Sequence, residues 1–226
     1  MSQDRRFATK YVGANPSLIR VLPSKSSLAL DVGCGCGGTA AWLVSRGVQV
    51  DGISWNLEEL EQAAKHCRAT FQCDLNEGLP NIKASEYDLI VCSHIFEHIA
   101  YPQNLLTDIQ RALKPSGVLV VAIPNLLFWR DRMKLLRGKF EYQPSGTFDY
   151  THLRWYTRDS MIQIMTEHGF QLESFVGEGW IALPGLRYLV GTSIRKRIND
   201  FVANRWPGLF AAQLLFRFGK NQAAGK

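Results

Sequence analysis

Four glycines, Gly33, Gly35, Gly37 and Gly38, crowd behind Asp31 in the segment LALDVGCGCGG. Glycine lets a chain turn tightly and approach a ligand closely, and free amide groups ahead of a helix face an anionic or polar group. The loop is a candidate cradle. Gly33, Gly35 and Gly38 also satisfy the Gly-x-Gly-x-x-Gly spacing of dinucleotide binders, which calls for an acid about 20 residues on to hold a ribose diol. At that distance the chain reads GISWN, with Ser54 where the acid should stand. The missing acid weakens the dinucleotide reading.

Proton transfer near neutral pH points to histidine. Of the five histidines, His98 lies in FEHI and His152 in DYTHLRWY, while His94 sits just upstream of His98. His168 precedes Gly169 at a helix end, where its charge suits the dipole and its role is structural. His152 has Asp149, Tyr150, Arg154, Trp155 and Tyr156 for company, a mixture that could hold a polar ring and offer a base, or simply tie down a lid. It is the first choice of general base and His98 the second, with His98 as a packed helix-start histidine the plainer alternative. Asp149 qualifies on the same chemistry. The five cysteines, 34, 36, 67, 73 and 92, are odd in number and form no pair of Cys-x-x-Cys clusters, so no metal site is expected and a reducing, cytoplasmic setting is. Cys34 and Cys36 read as small residues in a crowded turn.

The elements that must position these groups follow from periodicity. From Leu28 to Ile123 short apolar runs alternate with helical patterns: strands at Ser27–Val32, Val48–Ile53, Thr70–Cys73, Tyr87–Cys92 and Gly117–Ile123, and helices at Gly38–Ser45, Leu57–Cys67 and Pro102–Leu113. Such alternation argues for a parallel sheet with helices on both faces. Asn56 and Glu59 have capping-box spacing, and Lys114-Pro115 closes the third helix. After Ile123 the rhythm changes. Residues 125–157 read as a lid-like insertion over the carboxyl ends of the strands, where ligands bind in open α/β sheets. A helix at Arg158–His168 and strands at Phe170–Val176 and Gln213–Phe218 complete the pattern.

The length of 226 residues fits one globular domain, 1–226, with a second, basic helical insertion at 180–206. Within it, residues 186–206 set Leu189, Val190, Ile194, Ile198, Phe201 and Val202 on one helical face and Arg195, Lys196 and Asn199 on the other. The net charge of +6 is local: residues 187–226 hold eight Lys/Arg against Asp200 alone, while the rest holds 18 against 19 acids. A second basic cluster, Arg130, Arg132, Lys134, Arg137 and Lys139, is interrupted only by Asp131. The amino terminus shows neither signal nor anchor pattern, and the longest apolar window is too short to span a membrane, so a soluble protein is expected.

Four motifs in order, LALDVGCGCGG, CDLNEGLP, YDLIVCSHIFEHI and LKPSGVLVVAIPN, resemble those of class I S-adenosylmethionine-dependent methyltransferases. FDYTHLRWYT followed by EHGFQLESF resembles a bacterial subgroup acting on small molecules and glycans. The resemblance implies a Rossmann-like, mostly parallel seven-stranded sheet ending in an antiparallel strand. It also implies S-adenosylmethionine as cofactor, with Asp31 near the methionine amino group and the amides of Gly33, Gly35 and Gly37 along its chain. Asp74 would accept from the adenine amine, Leu75 would flank the ring, and Ser93 would stand beside the methyl donor. Ser54 occupies the place of the acid that clasps the ribose in many relatives; the cyclopropane fatty acid synthase branch resembles this chain in using Ser or Thr there. Asn56 or a water is expected to supplement it. Trp55 would either pack on the adenine or be an ordinary buried aromatic.

For the acceptor, the absence of an NPPY-like tetrapeptide after strand four and of a Pro-Cys pair disfavours nucleic-acid bases. The leading expectation is O-methylation of a sugar, glycan precursor or other small polar acceptor. The alternatives are methylation of a prenylated quinone or lipid at a membrane surface, with peripheral contact through 186–206, and a non-catalytic cofactor-binding subunit.

Overall fold

Seven strands form one sheet in the order β3 (Ala69–Gln72), β2 (Gln49–Ser54), β1 (Leu28–Val32), β4 (Tyr87–Ser93), β5 (Leu113–Pro124), β7 (Ala211–Lys220), β6 (Phe170–Gly179). The computed structural model describes residues 13–181 and 191–221. The first four strands, β1, β2, β3 and β4, run parallel with β5. The last two, β6 and β7, pair antiparallel, and β7 is antiparallel to β5, with Val121 opposite Phe216.

The central strands β1, β4 and β5 are largely apolar because both faces are covered. Leu30, Val32, Ile90, Cys92 and Leu119 meet α3 (Gln103–Ala112) and α5 (Arg158–Glu167) on one side. Ala29, Val50, Leu89, Val91 and Val120 meet α1 (Gly38–Val44) on the other. Fully burying each larger apolar side chain is worth about 1.5–3 kcal/mol, so this central slab holds the loops above it. Three helix starts are fixed locally. Gly37 caps α1 in a left-handed conformation, the Asn56 side chain caps α2 (Leu57–Ala63) from Glu58 N–H, and Thr157 and Ser160 form a reciprocal capping box on α5.

Several boundaries differ from the sequence expectation, for identifiable reasons. Helix α3 stops at Ala112, and Lys114-Pro115 lies inside β5: Leu113 pairs with Tyr87, the chain bulges, and the ladder resumes at Val118 opposite Leu89. Strand β6 runs past Val176 through Gly177 and Gly179, which look like breakers. A Cβ at Gly177 would run into the Ala203 carbonyl, so glycine here admits a close neighbour rather than ending the strand. That neighbour is α6 (Thr192–Arg205), whose Asn204 side chain bonds both the N–H and the C=O of Gly177. Asn199, expected on the outer polar face, turns inward to accept from Ile181 N–H, whereas Ile194 and Phe201 are exposed. Leu189 and Val190 lie outside the described residues.

The insertion after β5 contains α4 (Trp129–Leu136) and a loop folded back over the end of β4. Leu153 and Arg154 both donate their backbone N–H to the Glu97 carbonyl, which bolts the loop to the turn following β4.

Candidate functional site

The carboxyl ends of β1, β2, β3 and β4 open into a cavity of about 1000 Å³, closed on one side by Asp149 and Thr151 of the insertion and by Gln213 of β7. Asp31, Gly33, Gly35, Ser54, Trp55, Asp74, Leu75, Ser93, His98 and Asp149 all line it. Gly37 and His152 do not.

Asp31, near the end of β1, is buried, its Oδ2 has no hydrogen-bond partner, and burial pushes its pKa up to about 7. An orphaned buried carboxylate oxygen on a cavity wall is suited to a cationic ligand group. Beside it Gly33 adopts φ +74°, and a Cβ there would run into Ile95 Cδ1. Backbone amide and carboxylate therefore stand together with no side chain between them, which fits an amino-acid moiety. At Gly37, outside the lining, a Cβ would come within 2.8 Å of Ala63 Cα, and its absence permits α1 to approach α2. Burial pushes the Cys34 thiol well above its usual range, with Asp31 adding to the effect, and Cys36 is raised by burial and by Glu59. Neither is a thiolate at neutral pH.

At the β2 exit, Ser54 Oγ donates to Glu59 Oε2 at 2.7 Å and accepts from Asn56 N–H at 3.2 Å. Asn56 Oδ1 accepts from Glu58 N–H, and Asn56 does not line the cavity, whereas Glu59 does. By spacing Glu59 fits a capping box; the signal for its place on the cavity wall is an acid five residues after a serine standing where an acid is usual. Trp55 is 60% exposed, which removes the buried-aromatic reading and leaves an open ring face on the cavity rim. Asp74 Oδ1 accepts from both the backbone and the side chain of Asn76, and these bonds lower its pKa. It is a turn aspartate and a cavity aspartate at once.

Beyond Ser93 the chain turns sharply through His94, a non-glycine residue at φ +58°. His94 Nδ1 lies 3.1 Å from Glu97 Oε1 and its Nε2 3.2 Å from Gln213 Oε1. Burial opposes its charge, but the bonds to Glu97 and Gln213 outweigh burial and raise its pKa. His98 follows on the cavity wall, with Nδ1 3.1 Å from the Thr151 carbonyl. A carbonyl only accepts, so Nδ1 carries a proton and the neutral ring keeps its lone pair on Nε2. His152 sits behind it, buried, with Nδ1 3.0 Å from the Thr147 carbonyl and a pKa lowered chiefly by burial. His98 thus stands on the cavity wall and His152 behind it, because the DYTH turn points His152 into the loop's own interior. Asp149 lines the cavity, yet its Oδ1 accepts from Thr151 N–H and Oγ1. Arg154 Nε is held by the Ala100 carbonyl and Trp155 Nε1 by the Thr147 carbonyl, while Tyr150 faces outward.

Glu97, His98 and His152 bring a carboxylate and two imidazoles within 4.8 Å of one another, and the two rings meet edge-on. Asp131, read from sequence as a break in a basic run, is buried and accepts from Thr147 Oγ1 at 2.8 Å. Only the fold shows that this acid anchors the insertion.

A family model described as a methyltransferase domain matches residues 6–174. Among curated proteins the chain is 26% identical over 169 residues to the ubiquinone biosynthesis O-methyltransferase of Histophilus somni, covering 67% of this chain and 71% of the relative. It is 27% identical over 147 residues to the enzyme of the same name from Coxiella burnetii, covering 60% of this chain and 62% of the relative. An S-adenosylmethionine-dependent methyltransferase from Archaeoglobus fulgidus shares the fold with a TM-score of 0.64, at 19% identity and with 89% of each chain covered.

Proposed function

This chain belongs to the methyltransferase-domain family and takes S-adenosylmethionine as its methyl donor, and from that premise we propose that it methylates a hydroxyl oxygen of a prenylated quinone precursor at a membrane surface. The donor supplies a methyl group on a positively charged sulfur. Transfer is an in-line displacement, so the protein's work is alignment and removal of the acceptor's proton.

Asp31 would hold the amino group of the donor, the Gly33 and Gly35 amides its chain, and Asp74 the adenine amine. Leu75 and Trp55 would flank the ring, and Ser93 would stand beside the reacting centre. The observation that carries the oxygen-acceptor reading is His98, whose Nδ1 is fixed on the Thr151 carbonyl so that Nε2 is the basic atom on a cavity residue. His98 takes the hydroxyl proton as the oxygen attacks.

The quinone acceptor gains support over the sugar from the names of the relatives in Histophilus and Coxiella. It also gains from the use that the insertion makes of its polar groups: Asp149 and Arg154, well suited by type to grip a sugar, hold the loop together instead. No helix among the described residues is long and apolar enough to cross a membrane, so contact with a lipid surface would be peripheral, through α6. The test is release of S-adenosylhomocysteine with a prenylated catechol and with a nucleotide sugar. Turnover of the catechol alone, abolished in His98→Ala, supports the reading, and turnover of the sugar alone overturns it.

A further inference from the structure

We infer that Glu59, supplied from the first turn of α2, takes the ribose hydroxyls of the donor in place of a strand-end acid, and that Ser54 positions Glu59 instead of binding the ribose itself. The inference rests on the cofactor assignment above.

The sheet order sets the geometry. Strand β2 lies between β1 and β3, so a ligand reaching from Asp31 and Gly33 at the β1 exit to Asp74 beyond β3 must pass over the β2 exit. There Ser54 is already committed. The Asn56 N–H donates to its oxygen, and its single proton goes to Glu59 Oε2, because a carboxylate there only accepts. Ser54 has no second donor and cannot clasp two hydroxyls. Glu59 can: no described residue hydrogen-bonds its Oε1, and two hydroxyl donors match two carboxylate oxygens.

The arrangement also explains why Glu59 is free. In a capping box the acid at this position accepts the N-cap N–H. Here Ser54 Oγ accepts that N–H, which releases the Glu59 carboxylate to the cavity. Its charge is felt at the Cys34 and Cys36 thiols of the glycine loop, where it raises both pKa values after burial has done so.

Calorimetry tests this with S-adenosylhomocysteine and its 2′-deoxyribose counterpart on the wild type, Glu59→Ala, Glu59→Gln and Ser54→Ala. Hydrogen bonds to a charged group are worth ~1.5–3 kcal/mol, so the wild type should prefer the full ribose by about 10- to 100-fold. Glu59→Ala should reduce that preference to about twofold or less, Glu59→Gln should retain part of it, and Ser54→Ala should keep a clear preference at lower affinity. Melting curves establish that each variant is folded, and the near-isosteric Gln variant answers if the Ala variant is not. Wild-type preference in folded Glu59→Gln and Glu59→Ala would overturn the inference by showing that Glu59 only braces Ser54. A wild type that binds neither nucleoside would instead bring down the cofactor assignment, and this inference with it.

Discussion

His152 stands edge-on behind His98, ring centroids 4.8 Å apart and planes at 71°. Only the front ring lines the cavity. His98→Ala should therefore cost about 10²- to 10⁴-fold in kcat, the usual contribution of a general base, with S-adenosylhomocysteine affinity within about twofold of wild type. His152→Ala removes a brace, not the base, and should leave most turnover intact. Measuring kcat and nucleoside affinity for both variants checks the order, and a dead His152 variant beside an active His98 variant would reverse it.

If Asp31 meets the ligand ammonium, as proposed, cofactor binding is pH-dependent. Burial raises its folded-state pKa from 3.8 to about 7, so between those values the folded chain holds a proton that the unfolded chain has lost. With the acid raised, stability of the empty protein falls as pH rises through this window and levels off above 7. Pairing with a ligand ammonium requires the ionised form. Affinity for S-adenosylhomocysteine should rise by up to about tenfold per pH unit between pH 5.5 and 7 and then flatten. Asp31→Asn should melt at a higher temperature without ligand and bind weakly at every pH. A flat affinity profile in the wild type would show that Asp31 does not meet the ammonium.

The part of this site that the sequence made visible is the part carried by the backbone. Strand alternation located Asp31, Ser54, Asp74 and Ser93 at four strand exits, because a parallel sheet puts consecutive exits on one rim. What escaped depends on where side chains turn. Glu59 fits a capping box so well by spacing that its cavity role is invisible until Ser54 is seen to accept the Asn56 N–H. His152 outranks His98 in the string by the company it keeps, yet the turn holds it against the Thr147 carbonyl and leaves His98 on the cavity wall. Gly37 and Gly33 are indistinguishable in the string; one clears Ala63 for helix packing and the other clears Ile95 on the cavity wall.

Thr147 makes the loop's fate depend on Asp131. The Thr147 hydroxyl donates to the buried Asp131 carboxylate, and its carbonyl accepts from both His152 and Trp155. Asp131→Ala leaves that hydroxyl without its charged partner and should destabilise the insertion by ~1–3 kcal/mol. The expected readout is faster proteolysis within 137–157 and a lower kcat, with nucleoside affinity unchanged. Asp131→Asn, which can still accept, should recover much of the loss. Unaltered protease resistance in Asp131→Ala would mean that the loop's other bonds, those to the Glu97 and Ala100 carbonyls among them, suffice to hold it.

Helix α6 presents two apolar side chains that the domain does not use. Ile194 and Phe201, 53% and 66% exposed, are seven residues apart and so lie on one side of the helix, beside Arg197 and Arg205. Asp200, the sole acid of residues 187–226, is bonded to Arg20 at 3.0 Å and leaves those cations without a counter-charge on their own helix. Basic groups near an anionic lipid surface gain about 1 kcal/mol each, and that gain is screened by salt. The chain should therefore pellet with phosphatidylglycerol vesicles far more than with phosphatidylcholine vesicles, and less as salt rises. Ile194→Asp combined with Phe201→Asp should cut the pelleted fraction severalfold while leaving the melting temperature within a few degrees, since neither side chain is buried. Equal pelleting by both vesicle types, or an unaltered double variant, would remove α6 as the contact and with it the main structural reason to place the acceptor in a membrane.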